Sequence, residues 1–130
     1  MEDCIFCKVV SGEIPHYKIY EDDSAIAFLD INPVNPGHTL VVSKQHHPLV
    51  WDMPDDMYAQ VMLVAKKVSK RISEVLKPGR VGEAIEGFDV EHAHIHLIPI
   101  EQGFEKELAK PKTTQKSEDD LAAMAARLRF

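Results

Sequence analysis

A chain of 130 residues with 45% apolar composition holds enough material for one packed domain, without disulfide or metal staples standing in for a core. Its net charge of −6 excludes sequence-independent binding to nucleic acid or to an anionic membrane, which needs a basic face, but leaves room for a small anionic ligand in a local pocket. The longest aliphatic run, residues 61–65, is far short of a membrane span. The acidic start Met1-Glu2-Asp3-Cys4 lacks a signal-peptide apolar segment, so the cytoplasm is the expected compartment.

Cys4-Ile5-Phe6-Cys7 opens an apolar segment that runs to Val10 and breaks at Ser11-Gly12, which predicts one or two helical turns. In a reducing compartment C-x-x-C is a metal or redox pair rather than a disulfide. No strand precedes it, which favours zinc over a thioredoxin-like role. Residues 17–20 and 24–31 are β-rich and flank the polar turn Glu21-Asp22-Asp23, predicting a hairpin. In its second arm Ile26, Phe28 and Asp30 share one face, while Ala25, Ala27, Leu29 and Ile31 share the other. Asp30 closes an otherwise apolar face, either as a strand-end cap or as a ligand contact.

The turn-rich stretch Asn32-Pro33-Val34-Asn35-Pro36-Gly37 ends that arm, and His38-Thr39-Leu40-Val41-Val42-Ser43 forms the next strand. Beyond a loop with the single tryptophan, Trp51, a helix is predicted from about Asp55 to Leu76, stopped by Pro78-Gly79. Its apolar stripe is Met57, Val61, Val64, Ala65, Val68, Ile72 and Val75, and Leu63 points off the stripe toward a partner surface. A strand over residues 80–85 leads through Glu86-Gly87-Phe88 to E-H-A-H-I-H-L-I-P-I, residues 91–100. Here His92, His94 and His96 alternate with Ala93, Ile95 and Leu97, so a strand projects all three imidazoles from one face, roughly 6.6–7 Å apart at the backbone. Such a triplet can divide catalytic labour, or two of its rings can ligate a catalytic zinc with an open position. Residues 101–103 and 110–116 are predicted as loop, and Ser117-Glu118-Asp119-Asp120 caps a last helix over 121–128. The architecture is α+β: a mostly antiparallel sheet of about five strands, one long helix and short terminal helices, in a single domain with its core at 4–100 and a C-terminal appendage at 101–130.

The ordered set C-I-F-C-K, I-Y-E-D, A-F-L-D-I, P-G-H-T-L-V-V-S-K-Q-H and H-A-H-I-H-L-I-P resembles the histidine triad (HIT) family of nucleotide hydrolases and transferases, from Cys4 to about Ile100. The resemblance implies an enzyme acting on the α-phosphate of nucleoside phosphoramidates, nucleotidyl adducts or dinucleotide polyphosphates, releasing a purine nucleoside monophosphate. His94 matches the nucleophile that forms a nucleotidyl-imidazole, His96 the donor to phosphate oxygens, and His38 the upstream supporting histidine. The resemblance further implies a structural zinc on Cys4, Cys7, His46 and His92, with His47 as a competing ligand. It implies a ribose-binding carboxylate at Asp30 and an apolar base wall of Ile5, Phe6, Val9, Ile14, Phe28, Leu29, Ile31 and Leu40. The family usually pairs two subunits through the long helix and an adjacent strand. Where many members carry Gly-Gln-Ser/Thr before the triad, this chain has Gly87-Phe88-Asp89 behind Glu86. Those carboxylates either face solvent or meet a leaving group with a basic portion. A nucleotide-binding module without catalysis is the alternative function.

Overall fold

The computed structural model describes residues 3–111 and 116–130. Part of the expected loop at 110–116 therefore lies outside the described residues. Helix α1, Ile5–Ser11, starts where the Cys4 sulfur accepts from the Cys7 N–H and ends at Gly12, whose φ of +85° is left-handed. The hairpin follows as β1, Lys18–Glu21, and β2, Ala25–Leu29, with a register shift between Lys18 and Tyr20. Then come β3, Thr39–Ser43, a short 3₁₀ turn at Val50–Asp52, and α2, Asp55–Leu76. The acidic first turn of α2 suits its dipole, and the left-handed Lys77 before Pro78 ends it. β4, Arg80–Ala84, and β5, His94–Ile100, complete the sheet.

All neighbouring strands are antiparallel, in the order β1-β2-β3-β5-β4. The register places Phe28, Leu40 and His96 in one row across the sheet, and Ile26, Val42 and His94 in the next. With a side-chain period of two, these rows face one way, and Ala27, Val41 and Ile95 face the other. The second face is the main core. It packs against the α2 stripe of Val61, Val64, Ala65, Val68 and Ile72, and against Leu121, Ala125 and Leu128 of α4, Glu118–Leu128. The first face is covered in part by α1, whose Phe6 and Val9 join Ile26, Phe28, Leu40 and Val42.

Two elements differ from the expectations. The histidine strand begins at His94 rather than at residue 91; ahead of it the His92 ring is engaged by the Ser43 carbonyl and the two cysteine sulfurs. Ala93 still bonds to the chain leaving β3, its N–H donating to the His47 carbonyl at 2.6 Å. A helix α3, Phe104–Ala109, occupies the stretch after Gly103, and the Phe104 ring lies on Gly82 of β4, where any β-carbon would collide with it. Buried Glu107 anchors α3: its carboxylate accepts from Asn35 Nδ2 at 2.7 Å and from the Glu101 N–H at 3.0 Å. Hydrogen bonds from Lys110, then Asn35 and Glu101, hold that carboxyl down at about 2, so it stays ionised. Ser117 caps α4, its hydroxyl accepting from the Asp120 N–H. Among the described residues no helix is long and apolar enough to cross a membrane.

Candidate active site

Two clusters of polar side chains meet along the α1-covered face. The first joins Cys4 and Cys7 at the start of α1, His46 after β3, and His92 before β5. His92 Nδ1 lies 3.2 Å from Cys4 Sγ, 3.4 Å from Cys7 Sγ and 3.2 Å from His46 Nδ1, and His46 Nδ1 lies 3.3 Å from Cys7 Sγ. Bonds of about 2.0–2.1 Å to nitrogen and about 2.3 Å to sulfur give tetrahedral edges of roughly 3.3–3.8 Å, so the four donors already bracket the space of a tetrahedral ion. The tautomer agrees. His92 Nε2 is 2.6 Å from the Ser43 carbonyl, which can only accept, so Nε2 carries the hydrogen and Nδ1 presents its lone pair inward. Burial lowers the His92 pKa and keeps the ring neutral, as a ligand must be. Burial, and then the adjacent Cys4 sulfur, push the Cys7 thiol up to about 11; two neighbouring thiolates need a cation between them. His47 stands outside this cluster.

The second cluster holds Asp30, His38 and His96. The Val34 N–H donates to His38 Nδ1 at 3.0 Å, which leaves the hydrogen on Nε2. That Nε2–H donates to His96 Nδ1 at 2.9 Å, with Asp30 Oδ2 3.6 Å away. His96 therefore carries its own hydrogen on Nε2. A metal would need the His38 Nε2 lone pair, and here that atom is the donor; the cluster is a hydrogen-bond relay and not a catalytic zinc site. Asp30 also accepts the Asn32 N–H at 2.8 Å, so it both caps the strand end and faces the relay.

His94 lies between the clusters. Its Nδ1–H donates to the His92 carbonyl at 2.7 Å, which leaves Nε2 as a lone-pair nitrogen. The Phe6 ring meets it edge-on at 5.1 Å, and His96 lies 5.1 Å away, centroid to centroid. The ring is 6% exposed and borders a narrow crevice with Trp51, Ile85 and Glu86.

Of the expected base wall, Phe6, Val9, Phe28 and Leu40 form one buried cluster with Ile14 against it. Leu29 belongs to the main core instead, since its pleat position is opposite to that of Phe28. Ile5 and Ile31 are exposed, the latter beyond the end of β2. His16 was not expected: it packs edge-on to Phe28 at 5.7 Å, and its Nδ1–H donates to the Ile14 carbonyl. Also new is α3, whose Leu108, with Lys110 at its C-terminal cap, lines a cavity of about 510 Å³ with Asp30 and Asp89. The Phe104/Leu108 spacing after Gly103 was the available signal.

Burial lowers the His38 pKa to about 4, overriding Asp30. The unfolded chain takes up this proton near pH 6.5 but the folded one does not, so stability present above that pH is lost as pH falls toward 4. The loss due to His38 comes to roughly 1–3 kcal/mol. Urea unfolding at pH 7 and pH 5 should show the wild type losing more than His38→Asn by this amount; parallel losses would contradict the assignment.

The HIT domain family profile matches residues 11–103. An uncharacterized HIT-like protein of Borreliella burgdorferi is 45% identical over 106 residues, 76% of each chain. An adenosine 5'-monophosphoramidase of Schizosaccharomyces pombe is 40% identical over 101 residues, covering 74% of this chain and 73% of that protein. A zinc-bound histidine triad family protein from Mycobacterium smegmatis superimposes with a TM-score of 0.75 at 29% identity, covering 98% of this chain and 96% of that one. With His94 and His96 on β5 and His38 directly before the neighbouring β3, the chain belongs to the HIT domain family.

Proposed function

We propose that the protein is a nucleotidyl hydrolase in which His94 Nε2 attacks the α-phosphorus of an adenosine phosphoramidate or related nucleotidyl adduct. The observation that carries this reading is the hydrogen bond from His94 Nδ1–H to the His92 carbonyl, which fixes the tautomer of the neutral ring so that Nε2 holds the lone pair available for attack. In the first step the Nε2 lone pair bonds phosphorus. The bond from phosphorus to the leaving nitrogen breaks, and that nitrogen, protonated from solvent, departs as an amine. In the second step water gives its oxygen to phosphorus and a proton to solvent, and the P–Nε2 electron pair returns to His94. The His96 Nε2–H donates to the phosphoryl oxygens and is fixed in that tautomer by His38. Likeness to the phosphoramidase of S. pombe supports the substrate class.

Asp30 accepts hydrogen bonds from the ribose hydroxyls in this proposal, and Phe6, Val9, Ile14, Phe28 and Leu40, extended by Ile5 and Ile31, form the base side. Cys4, Cys7, His46 and His92 hold a structural Zn²⁺, whose closed coordination ties α1 to the catalytic strand when bound. Free thiols serving a metal suit the cytoplasm. A homodimer through α2 and β4 is supported by the half-exposed Leu63 and by the position of β4 at the sheet edge.

Adenosine 5'-phosphoramidate tests the proposal: the protein should release AMP, and failure to do so with fully folded, metal-loaded protein would refute it. Asp30→Asn should raise KM about 10- to 100-fold, more than it lowers kcat. An unchanged KM would remove Asp30 from the ribose site.

A further inference from the structure

Resting on the reading of His94 as nucleophile, we propose that Glu86 and Asp89 select the leaving group: they favour nucleotidyl adducts of amines that carry a positive charge near the scissile bond over substrates that leave as polyphosphate anions.

The loop that carries them is held against the site. Gly87 has a φ of +82°, a left-handed conformation that favours glycine, and a β-carbon there would sit 3.1 Å from the Leu49 side chain, close against the residue that leads into the 3₁₀ turn. Glu86 shares the crevice of His94 and Trp51. Asp89 lines the larger cavity together with Asp30 of the relay. Among the described residues lining these two cavities Lys110 is the one cation, and its ammonium is held by Glu107 at 2.8 Å and by Asn35. Lys116 and Arg127 border a third cavity, which takes in the other side of Asp30 and His38 between α4 and the β2–β3 loop and includes neither Glu86 nor Asp89. A polyphosphate departing on the Glu86 and Asp89 side would thus bring several negative charges against carboxylates whose one neighbouring cation among the described lining residues is already paired, whereas a departing amine cation would be attracted. Trp51, which lines the crevice with His94 and Glu86, is 67% exposed and offers a ring face on which a cation can rest. The field also reaches the phosphoryl side: both carboxylates raise the proton affinity of His96 against the larger effect of burial.

The test compares kcat/KM for three adenosine substrates, an N-alkyl phosphoramidate, the same compound with a terminal ammonium on the alkyl chain, and diadenosine tetraphosphate. The wild type, Glu86→Gln, Asp89→Asn and the double variant are each assayed at low and high salt. The wild type should prefer the ammonium substrate to the neutral one by about tenfold at low salt, and less at high salt. The double variant should bring that ratio near one and raise the relative rate on the tetraphosphate, with each single variant in between. A wild-type ratio near one, or a ratio that the double substitution leaves in place, overturns the proposal. Turnover of none of the three overturns the nucleotidyl reading itself, and the selector with it.

Discussion

His94→Ala should lower kcat by on the order of 10⁴-fold or more while the protein still melts cooperatively. The reason is the difference between losing a bond-forming atom and losing a supporting one. Nothing else in the site can take the place of Nε2: His92 Nδ1 points among the cysteines, and both nitrogens of His38 are engaged by Val34 and His96. His96 has its Nδ1 occupied by His38 and a hydrogen on Nε2, so it donates and does not attack. Structurally the substitution removes an edge contact with Phe6 and one hydrogen bond to the His92 carbonyl, a cost of about 1–2 kcal/mol. Steady-state turnover and thermal unfolding on the same sample separate the two effects. Residual activity within tenfold of the wild type would mean that another group attacks phosphorus.

The second large effect is at the metal cluster. Cys4→Ser should abolish stoichiometric zinc and lower Tm by roughly 10 °C, equivalent to a few kcal/mol. The stabilisation is not local to the ion. Cys4 also caps α1, and α1 carries Phe6 and Val9 onto the sheet face beside His94. When the helix loosens, the base side of the pocket goes with it, so KM should rise more than kcat falls. Metal content, together with amide exchange over residues 5–11, checks this: loss of zinc with faster exchange in α1 is expected. Retention of the metal in Cys4→Ser would place the ion elsewhere, and loss of metal with α1 exchange unchanged would show that the ion does not anchor the helix.

Much of this is legible in the amino-acid sequence. The boundaries of α2 follow from an apolar stripe at helical spacing, acidic residues at the start, and Pro78 beyond the end. The strand alternation correctly separates Ile26 and Phe28 from Ala25, Ala27 and Leu29, because a pleat has only two faces. What alternation does not carry is register between strands. That Leu40 lies opposite His96 and Val42 opposite His94 depends on long-range pairing, and it is this pairing that places His38 beside His96. Nor does alternation say where a strand starts. His92 looks like a strand residue by spacing, yet its ring is drawn to Ser43 and the cysteines, and the ladder begins two residues later. Leu29 was placed in the base wall by resemblance against its own pleat position, and the pleat prevailed. Helix α3 is short and is anchored by buried Glu107, whose partners Asn35 and Glu101 are specified by the tertiary fold and not by neighbours in sequence. The ring-nitrogen assignments are likewise tertiary: each rests on a carbonyl or N–H supplied by another segment.

The most direct measurement is rapid acid quench during the first turnover of adenosine 5'-phosphoramidate, followed by peptide mass mapping. A covalent nucleotidyl group on the peptide containing His94, lost when His94 is replaced, is the predicted result. Product formation in the first turnover with no protein-bound nucleotide, or with the nucleotide on His96 or His38, would contradict the account.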